Sequence, residues 1–293
     1  MSKKLPRLED GQSAGCYRLR LEYHADWEQT LLLISDIHFD ALHSNHRLLK
    51  RHLDQALERN APILIFGDLL DLMQGKKDPR ASKSEINPKY AVDDDYLGNV
   101  CADAASFLAP YASNILMMAM GNHEYEYRRR HEVDPLTMVA TMLKATTGFT
   151  PVVAPYSGWL QFKYSQGGNR GNRSGNNLKW HHGTGSNSPV TRGAIATNRF
   201  SVMYPNADIQ VRGHINQRFQ MFIPRETITT HGRIITDNDA LHLQLGCYVQ
   251  DNTDGNSWSQ RRGMGTAALG GFWLRLYVDG IKNRMRFQAI ATD

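Results

Sequence analysis

Carboxylate and imidazole side chains follow the apolar runs in the first half of the sequence. Asp36 and His38 come directly after the run Thr30–Ser35, and Asp68 follows the run Pro62–Phe66. Two side chains separated by one residue at the end of a strand point to the same side, so Asp36 and His38 can bind one ion together. Carboxylate and imidazole ligands suit Mn²⁺, Fe²⁺ and Zn²⁺. The spacing therefore predicts a divalent metal site.

Three further polar clusters follow later apolar runs. They are Gly121–Glu124 (GNHE), His181–Gly183 (HHG) and Gly213–Asn216 (GHIN). The first of these is the most specific, because an amide and an imidazole beside a glycine are rarely needed for structure alone. Neighbouring strand residues point to opposite faces, so only one of His181 and His182 can reach the site, and we expect it to be His182.

Five such clusters in this order predict a site for two ions. Asp68 is central enough to bridge them, and two ions about 3.5–4 Å apart can hold a phosphate group and acidify a shared water. The carboxylates of Asp36 and Asp68 facing two divalent ions would leave two positive charges. A hydroxide and a phosphodiester anion would balance that charge, which indicates phosphoester hydrolysis.

The elements that must position these residues form an α/β arrangement in the first half of the chain. Buried strands are predicted at Thr30–Ser35, Pro62–Phe66 and Asn114–Met120, and helices at Asn45–Asn60, Tyr96–Leu108 and Asp134–Ala145. Strand, helix and strand form a βαβ unit with parallel strands. Because such sheets bind ligands at the carboxyl ends of their strands, the first clusters should meet at one edge.

The second half of the chain is rich in strands. They are predicted at Gly158–Tyr164, Leu178–His182, Asp208–Arg212, Gln220–Ile223, Leu241–Val249, Phe272–Val278 and Ile281–Ile290, with an earlier one at Cys16–Tyr23. No Pro-, Gly- or Ser-rich linker separates the halves, so we predict a single domain over residues 1–293. Two polar segments, at about 74–95 and 166–177, are predicted to be irregular insertions, either functional loops or disordered surface.

Composition limits the classes of protein to which the chain can belong. With 293 residues, of which 41% are hydrophobic and 22% charged, it can bury a sizeable core and is not a disordered protein. Three distant cysteines favour a reducing compartment. Neither a membrane helix nor a signal peptide is visible, so we expect a soluble, cytoplasmic protein without a membrane partner. The net charge of +5 fits a mildly basic surface and a nucleic-acid partner equally.

The ordered clusters resemble the pattern of the calcineurin-like metallophosphoesterase superfamily, which is DxH, GDxxD, GNH(D/E), H and GHxH. Here these motifs are Asp36–His38, Gly67–Asp71, Gly121–Glu124, His182 and Gly213–Asn216. The resemblance implies an α/β fold, a four-layer αββα sandwich of two mixed sheets flanked by helices, with a dinuclear site at its edge. The contexts SDIHFD and HHG–PVTRG are also similar to uncharacterised phosphoesterases carried by phages.

The resemblance implies a role for each matching residue. The metal ligands would be Asp36 and His38 for the first ion, Asp68 as the bridge, and Asn122, His182 and His214 for the second. His123 would lie near the phosphate as a general acid or charge stabiliser, with Glu124 or another acid orienting its ring. Asn216 stands where the family has its last histidine. An amide oxygen binds metal more weakly, which puts the first site in question.

The sequence thus predicts a metal-dependent phosphoesterase that uses two divalent ions, Mn²⁺ before Fe, Zn, Ni or Mg. A phosphodiester is the favoured substrate, with DNA or RNA as candidates, because the chain and its polar loops are basic. A phosphomonoesterase acting on a nucleotide or a phosphoprotein is the alternative. A pseudo-enzyme that binds nucleic acid or another partner through a degraded site is a second alternative, and Asn216 is the feature in its favour.

Overall fold

The computed structural model describes residues 5–73, 87–90, 94–166, 175–185, 188, 190–236, 239–250, 268–280 and 284–293. The predicted insertions fall largely outside these ranges, at 74–86, 91–93 and 167–174. The described ends of the second insertion belong to strands. Gln166 is the last residue of the strand Ser157–Gln166, and residues 175–177 begin the strand Gly175–His181. Among the described residues, no helix is long and apolar enough to cross a membrane.

Five helices lie within the described ranges. They are α1 (His46–Glu58), α2 (Tyr96–Leu108), α3 (Asn122–His131), α4 (Pro135–Thr147) and α5 (Ala194–Met203). Three of them match predicted helices. At the start of α4, the Asp134 side chain accepts a hydrogen bond from the Thr137 N–H at 3.1 Å, and Pro135 takes the first helical position, as the sequence predicts.

A six-stranded sheet carries the first half of the site. Its strands are β3 (Glu28–Ile34), β4 (Ile63–Phe66), β5 (Ile115–Ala119), β6 (Val152–Ala154), β14 (Phe272–Asp279) and β15 (Arg284–Ala291), in the order β15-β14-β3-β4-β5-β6. Strands β3 to β6 are parallel, which confirms the predicted βαβ pattern, and β14 is antiparallel to both of its neighbours.

A seven-stranded sheet carries the second half of the site. It consists of β1 (Leu8–Asp10), β2 (Cys16–Tyr23), β7 (Ser157–Gln166), β8 (Gly175–His181), β9 (Ile209–Arg212), β10 (Phe219–Ile223) and β13 (Ala240–Gln244), in the order β1-β2-β7-β8-β9-β13-β10. A short pair, β11 (Thr227–Ile228) and β12 (Ile234–Ile235), stands apart. Strands β8, β9 and β13 run parallel, so their carboxyl ends share one edge.

Two apolar cores stack the elements into four layers. One core lies between the sheets, where Leu33 and Phe66 pack with Trp180 and other buried residues. The other lies between the six-stranded sheet and helices α1, α2 and α4. Helix α5 covers the outer face of the seven-stranded sheet, where Phe200 contacts the His181 ring and the Arg212 guanidinium. The predicted α/β sandwich of two mixed sheets flanked by helices is confirmed.

The sequence prediction is wrong for some elements. Helix α5 and strand β6 were not predicted, and the predicted strand Leu241–Val249 ends at Gln244. A Cβ at Gly246 would lie 2.1 Å from the Ala268 carbonyl oxygen, so the chain passes another backbone closely here instead of continuing the ladder. The Tyr248 N–H then donates to the Asp36 carbonyl at 2.9 Å. The end of this apolar run therefore supports the site loops.

The outer face of the seven-stranded sheet contains a histidine that is costly to protonate. His242 on β13 is fully buried, and neither of its ring nitrogens has a hydrogen-bond partner among the described residues. Burial, together with the charges of Arg212 and Arg225, lowers the pKa of His242 to about 4.

We expect the free energy of unfolding to fall as the pH drops from about 6.5 towards 4. In that window the unfolded chain protonates His242 and the folded chain does not, so acid favours unfolding. The measurement is the free energy of unfolding in urea at pH 7 and at pH 5. Between these two values, the fall in this free energy should be about 1–2 kcal/mol smaller for His242→Leu than for the wild type. His231→Leu, at an exposed histidine, is the control. Equal losses in the wild type and the His242 variant would contradict the prediction.

Candidate metal centre

Five parallel strands from the two sheets end at the same place, and the residues that follow them form one cluster. These residues are Asp36 and His38 after β3, Asp68 after β4, Asn122 and His123 after β5, His182 after β8, and His214 after β9. The structure thus brings together side chains that lie up to 178 positions apart in the sequence.

Asp68 lies at the centre of the cluster and is 1% exposed. Its Oδ2 atom is 3.0 Å from His182 Nε2, 3.9 Å from His38 Nε2 and 4.0 Å from His123 Nε2. Burial raises the pKa of Asp68, but the charges of His182 and His123 and the hydrogen bond to His182 outweigh it. The pKa is held far below its usual range, so the carboxylate is ionised.

Each of these three histidines is fixed through its other ring nitrogen. Nδ1 lies 2.9 Å from the Phe66 carbonyl in His182, 2.6 Å from the Asp71 carbonyl in His123, and 3.0 Å from Asp71 Oδ1 in His38. Because these oxygens only accept, each Nδ1 carries a proton, so Nε2 is the atom that would offer its lone pair to a metal ion once it loses its own proton. Such outer partners orient the histidines that bind metal ions.

Asn122 extends the same arrangement towards the second sheet. Its Oδ1 atom is 3.0 Å from His182 Nε2 and 2.7 Å from His214 Nδ1. His214 Nε2 lies 3.0 Å from the Gly185 carbonyl and donates to it, so His214 Nδ1 offers a lone pair. One proton can bridge only one pair of these acceptor atoms, whereas a bound cation can accept electron pairs from all of them.

The donor atoms fit divalent ions. Donors about 2.1 Å from one ion and at right angles lie about 3.0 Å apart, which is the separation of His182 Nε2 from both Asp68 Oδ2 and Asn122 Oδ1. Within the part of the chain that the structure describes, two groups have all donor atoms within 4.8 Å of one another, namely His38, Asp68 and His123, and Asp68, His182 and His214. Asp68 belongs to both groups, as a bridging ligand would.

The ionised carboxylates also favour protons on the same nitrogens. Burial lowers the pKa of His182, but the charge of Asp68, the hydrogen bond to it and the charge of Asp36 outweigh burial and raise that pKa to about 10. The pKa of His38 is raised to about 9, because its hydrogen bond to Asp71 and the charges of Asp68, Asp71 and Asp36 outweigh the effect of burial. Protons and metal ions therefore compete for these atoms.

Asp36 and Asn216 lie in the loops that follow β3 and β9, outside the two groups of close donor atoms. Both carboxylate oxygens of Asp36 accept the His214 N–H at 2.9 Å, which ties the loop after β3 to the loop after β9. The Asn216 Oδ1 atom is buried and has no hydrogen-bond partner among the described residues. An unsatisfied buried oxygen costs about 1–3 kcal/mol, which a bound cation would relieve.

Glu124 lies behind the cluster. Its carboxylate accepts hydrogen bonds from the backbone N–H groups of Leu70 at 2.9 Å, Gly121 at 2.9 Å and Asp68 at 3.2 Å. Burial and the charge of Asp68 raise its pKa to about 7. The expectation that Glu124 orients the His123 ring does not match these contacts, because the Asp71 carbonyl orients that ring. Glu124 instead fixes the backbone that carries Asp68.

The motif residue with the least obvious role in the sequence, Asp71, contacts two of the histidines, His38 and His123. It lies among the buried aliphatic residues Leu69, Leu70 and Leu72. A carboxylate in such a run must be paired or bonded, and this is the signal that could have identified it. His181 faces away from the site, towards Phe200, so of the adjacent pair it is His182 that enters the cluster.

Comparison with known proteins agrees with this geometry. The family model for calcineurin-like phosphoesterases matches residues 29–218, more than half of the chain, and the protein belongs to that family. No curated protein matches the chain. The narrower likeness to phage phosphoesterases stays a prediction.

Similar solved structures share little sequence with this chain. A predicted phosphoesterase from Streptococcus pneumoniae is 10% identical, with 91% of this chain and 99% of that chain covered and a TM-score of 0.32. The Plasmodium protein GAP50, described as the anchor in the inner membrane complex, is 12% identical, with coverages of 91% and 89% and a TM-score of 0.40. Vps29 from Entamoeba histolytica, solved with zinc, is 10% identical, with coverages of 90% and 99% and a TM-score of 0.33.

Gly121 gives a test of the metal centre that leaves every donor side chain in place. A Cβ atom at Gly121 would lie 2.0 Å from Asp68 Oδ1, so Gly121→Ala must displace the carboxylate. We expect Mn²⁺ affinity, measured by calorimetric titration of metal-free protein, to fall at least tenfold. Gly280→Ala is the control, because nothing lies within 4 Å of its Cβ position. Wild-type affinity in the Gly121 variant would show that Asp68 does not hold the ions.

Proposed function

We propose that this member of the calcineurin-like phosphoesterase family hydrolyses phosphoester bonds with two divalent ions held around Asp68. The observation that carries the proposal is the convergence of the Nε2 atoms of His38, His123 and His182 on one oxygen of that carboxylate. When bound, two ions would neutralise charge on the phosphoryl oxygens and lower the pKa of a bound water molecule.

The ligands follow the resemblance. Asp36, His38, Asp68 and Asn216 would hold the first ion, and Asp68, Asn122, His182 and His214 the second. The unpartnered Oδ1 of Asn216 supports its inclusion. The mixture of carboxylate, imidazole and amide donors suits Mn²⁺, which we propose ahead of Fe, Zn, Ni and Mg.

His123 is the residue proposed to handle the proton of the leaving group. Its Nδ1 donates to the Asp71 carbonyl at 2.6 Å, so only Nε2 can exchange a proton with a substrate. That atom faces the cluster, 4.0 Å from Asp68 Oδ2. In the protonated ring, Nε2–H can donate to the leaving oxygen as its bond to phosphorus breaks.

A phosphodiester is the substrate class we propose, with a nucleic-acid strand as the candidate partner. The net charge of +5 supports an anionic partner. The three cysteines, none of them in a disulfide, support a cytoplasmic location. A phosphomonoester is the alternative substrate. The pseudo-enzyme alternative rests on Asn216 and requires that metal-loaded protein hydrolyse nothing.

The function is tested by screening activity with Mn²⁺, Zn²⁺, Ni²⁺ and Mg²⁺ against single- and double-stranded DNA, RNA, cyclic nucleotides and phosphomonoesters. Chelation should abolish activity and Mn²⁺ should restore it. Asp68→Asn should remove nearly all activity because it takes the shared negative charge from both ions. Asp54→Asn, at a carboxylate paired with Lys50 on the surface of α1, is the matched control and should stay active. Full activity after chelation or in Asp68→Asn would exclude a two-ion mechanism.

A second prediction concerns His123. A general acid matters most for a poor leaving group and contributes about 10²–10⁴-fold. His123→Asn should therefore slow hydrolysis of an alkyl or nucleotide diester far more than that of a nitrophenyl ester. The comparison of kcat/KM for the two substrates decides the role. Equal losses would mean that His123 positions substrate or binds metal and does not supply the proton.

A further inference from the structure

Asp40, in the loop after β3, is a buried carboxylate that is not among the predicted metal ligands. Asp40 is fully buried and has no hydrogen bond to a predicted metal ligand among the described residues. Its Oδ1 accepts the Asp71 N–H at 2.6 Å, and its Oδ2 accepts the Leu72 N–H at 3.1 Å. The Tyr96 hydroxyl, from helix α2, donates to the same Oδ2. These contacts fix the backbone at residues 71 and 72.

The backbone that Asp40 holds sets the direction of two histidine rings. Asp71 accepts from His38 through its carboxylate, at 3.0 Å, and from His123 through its carbonyl, at 2.6 Å. A shift of this one residue would turn both Nε2 atoms away from the shared carboxylate. The histidines of the other group do not depend on it, because carbonyls of Phe66 and Gly185 hold them.

The conformation of Leu72 is a second sign that this backbone is held in place. Its φ angle is +53°, in the left-handed region, although it is a leucine. Aliphatic residues rarely adopt this region, and they remain there only where their surroundings impose it. The hydrogen bond from the Leu72 N–H to Asp40 supplies that constraint.

We propose that Asp40 and Tyr96 are positioning residues for the metal centre. Tyr96 orients the Asp40 carboxylate, Asp40 fixes the backbone of Asp71, and Asp71 aims the two histidines. The inference rests on the metal centre of the proposed function and is independent of the substrate.

The test is Tyr96→Phe, which removes one hydroxyl group and keeps the ring. Metal-free protein is titrated with Mn²⁺ alone in a calorimeter. We expect one of the two sites to lose about tenfold in affinity, the lower end of the ~10–100-fold range for outer partners of metal ligands. The other site should keep its affinity, because its histidines are held by carbonyls elsewhere.

The chain offers a matched control in Tyr111→Phe. The Tyr111 hydroxyl donates to Asp54 at 2.6 Å, and the residue is 3% exposed. Both variants lose one tyrosine–aspartate hydrogen bond, and Tyr96→Phe should lose more thermal stability because Asp40 is buried whereas the Asp54 side chain is 43% exposed. Only Tyr96→Phe should weaken Mn²⁺ binding. Equal weakening in the two variants, or wild-type binding in Tyr96→Phe, would overturn the proposal.

A second variant, Asp40→Asn, gives a readout that needs no metal. An amide presents only one acceptor oxygen and cannot accept all the N–H groups that the carboxylate accepts. Amide hydrogen exchange at Asp71 and Leu72 should therefore become faster in the metal-free protein, and unchanged rates would overturn the proposal. The proposed function can fail separately from this proposal. Wild-type protein that binds two Mn²⁺ ions but hydrolyses no phosphoester would contradict the proposed function and leave the roles of Asp40 and Tyr96 intact.

Discussion

The ionised and buried carboxylate of Asp68 is the constraint on which the rest of the structure depends. A buried charge is costly unless it is paired and hydrogen-bonded, and at 1% exposure water cannot supply the partners. The protein supplies imidazoles from three separate loops and the N–H of His123. Those loops come from both sheets, so the sandwich must bring the ends of β3, β4, β5 and β8 to one point. The arrangement of the two sheets therefore provides the partners that this one buried carboxylate needs.

The site also imposes an unusual backbone. Five of the predicted ligands have positive φ angles, and they are Asp36, His38, Asp68, His214 and Asn216, with values from 47° to 74°. Asp, Asn and His enter this region several times more readily than other side chains, so the residue types that bind metal are also those that tolerate the turn. Each such residue costs about 1–3 kcal/mol. The two apolar cores and the backbone bonds between the loops, such as Asp36 N–H to the Gly67 carbonyl at 3.0 Å, offset that cost.

Sequence patterns predicted the elements and site residues that follow from local residue types. They missed the contacts between segments that are distant in the sequence. Buried strands such as Ile63–Phe66 are continuous apolar runs, and polar residues at their ends were identified from that position alone. Helix α5 escaped prediction because its apolar residues do not share a face, and Val202 and Met203 are 80% and 62% exposed. The partners of Glu124 and Asp71 were not predictable. Glu124 accepts from backbone N–H groups and Asp71 accepts from histidine rings, and only the folded loops bring these groups within reach.

The donor chemistry differs between the two sides of Asp68. With the ligands that the family resemblance assigns, the first ion would meet two carboxylates, one imidazole and the amide of Asn216. The second would meet one shared carboxylate, two imidazoles and the amide of Asn122. Oxygen donors favour harder ions such as Mn²⁺ and Mg²⁺, and imidazole favours Zn²⁺ and Fe²⁺. With this assignment, Asn216 would make the first site harder as well as weaker. A histidine at this position would make the two sites more alike, so the amide would change which ion each side prefers without removing a donor atom.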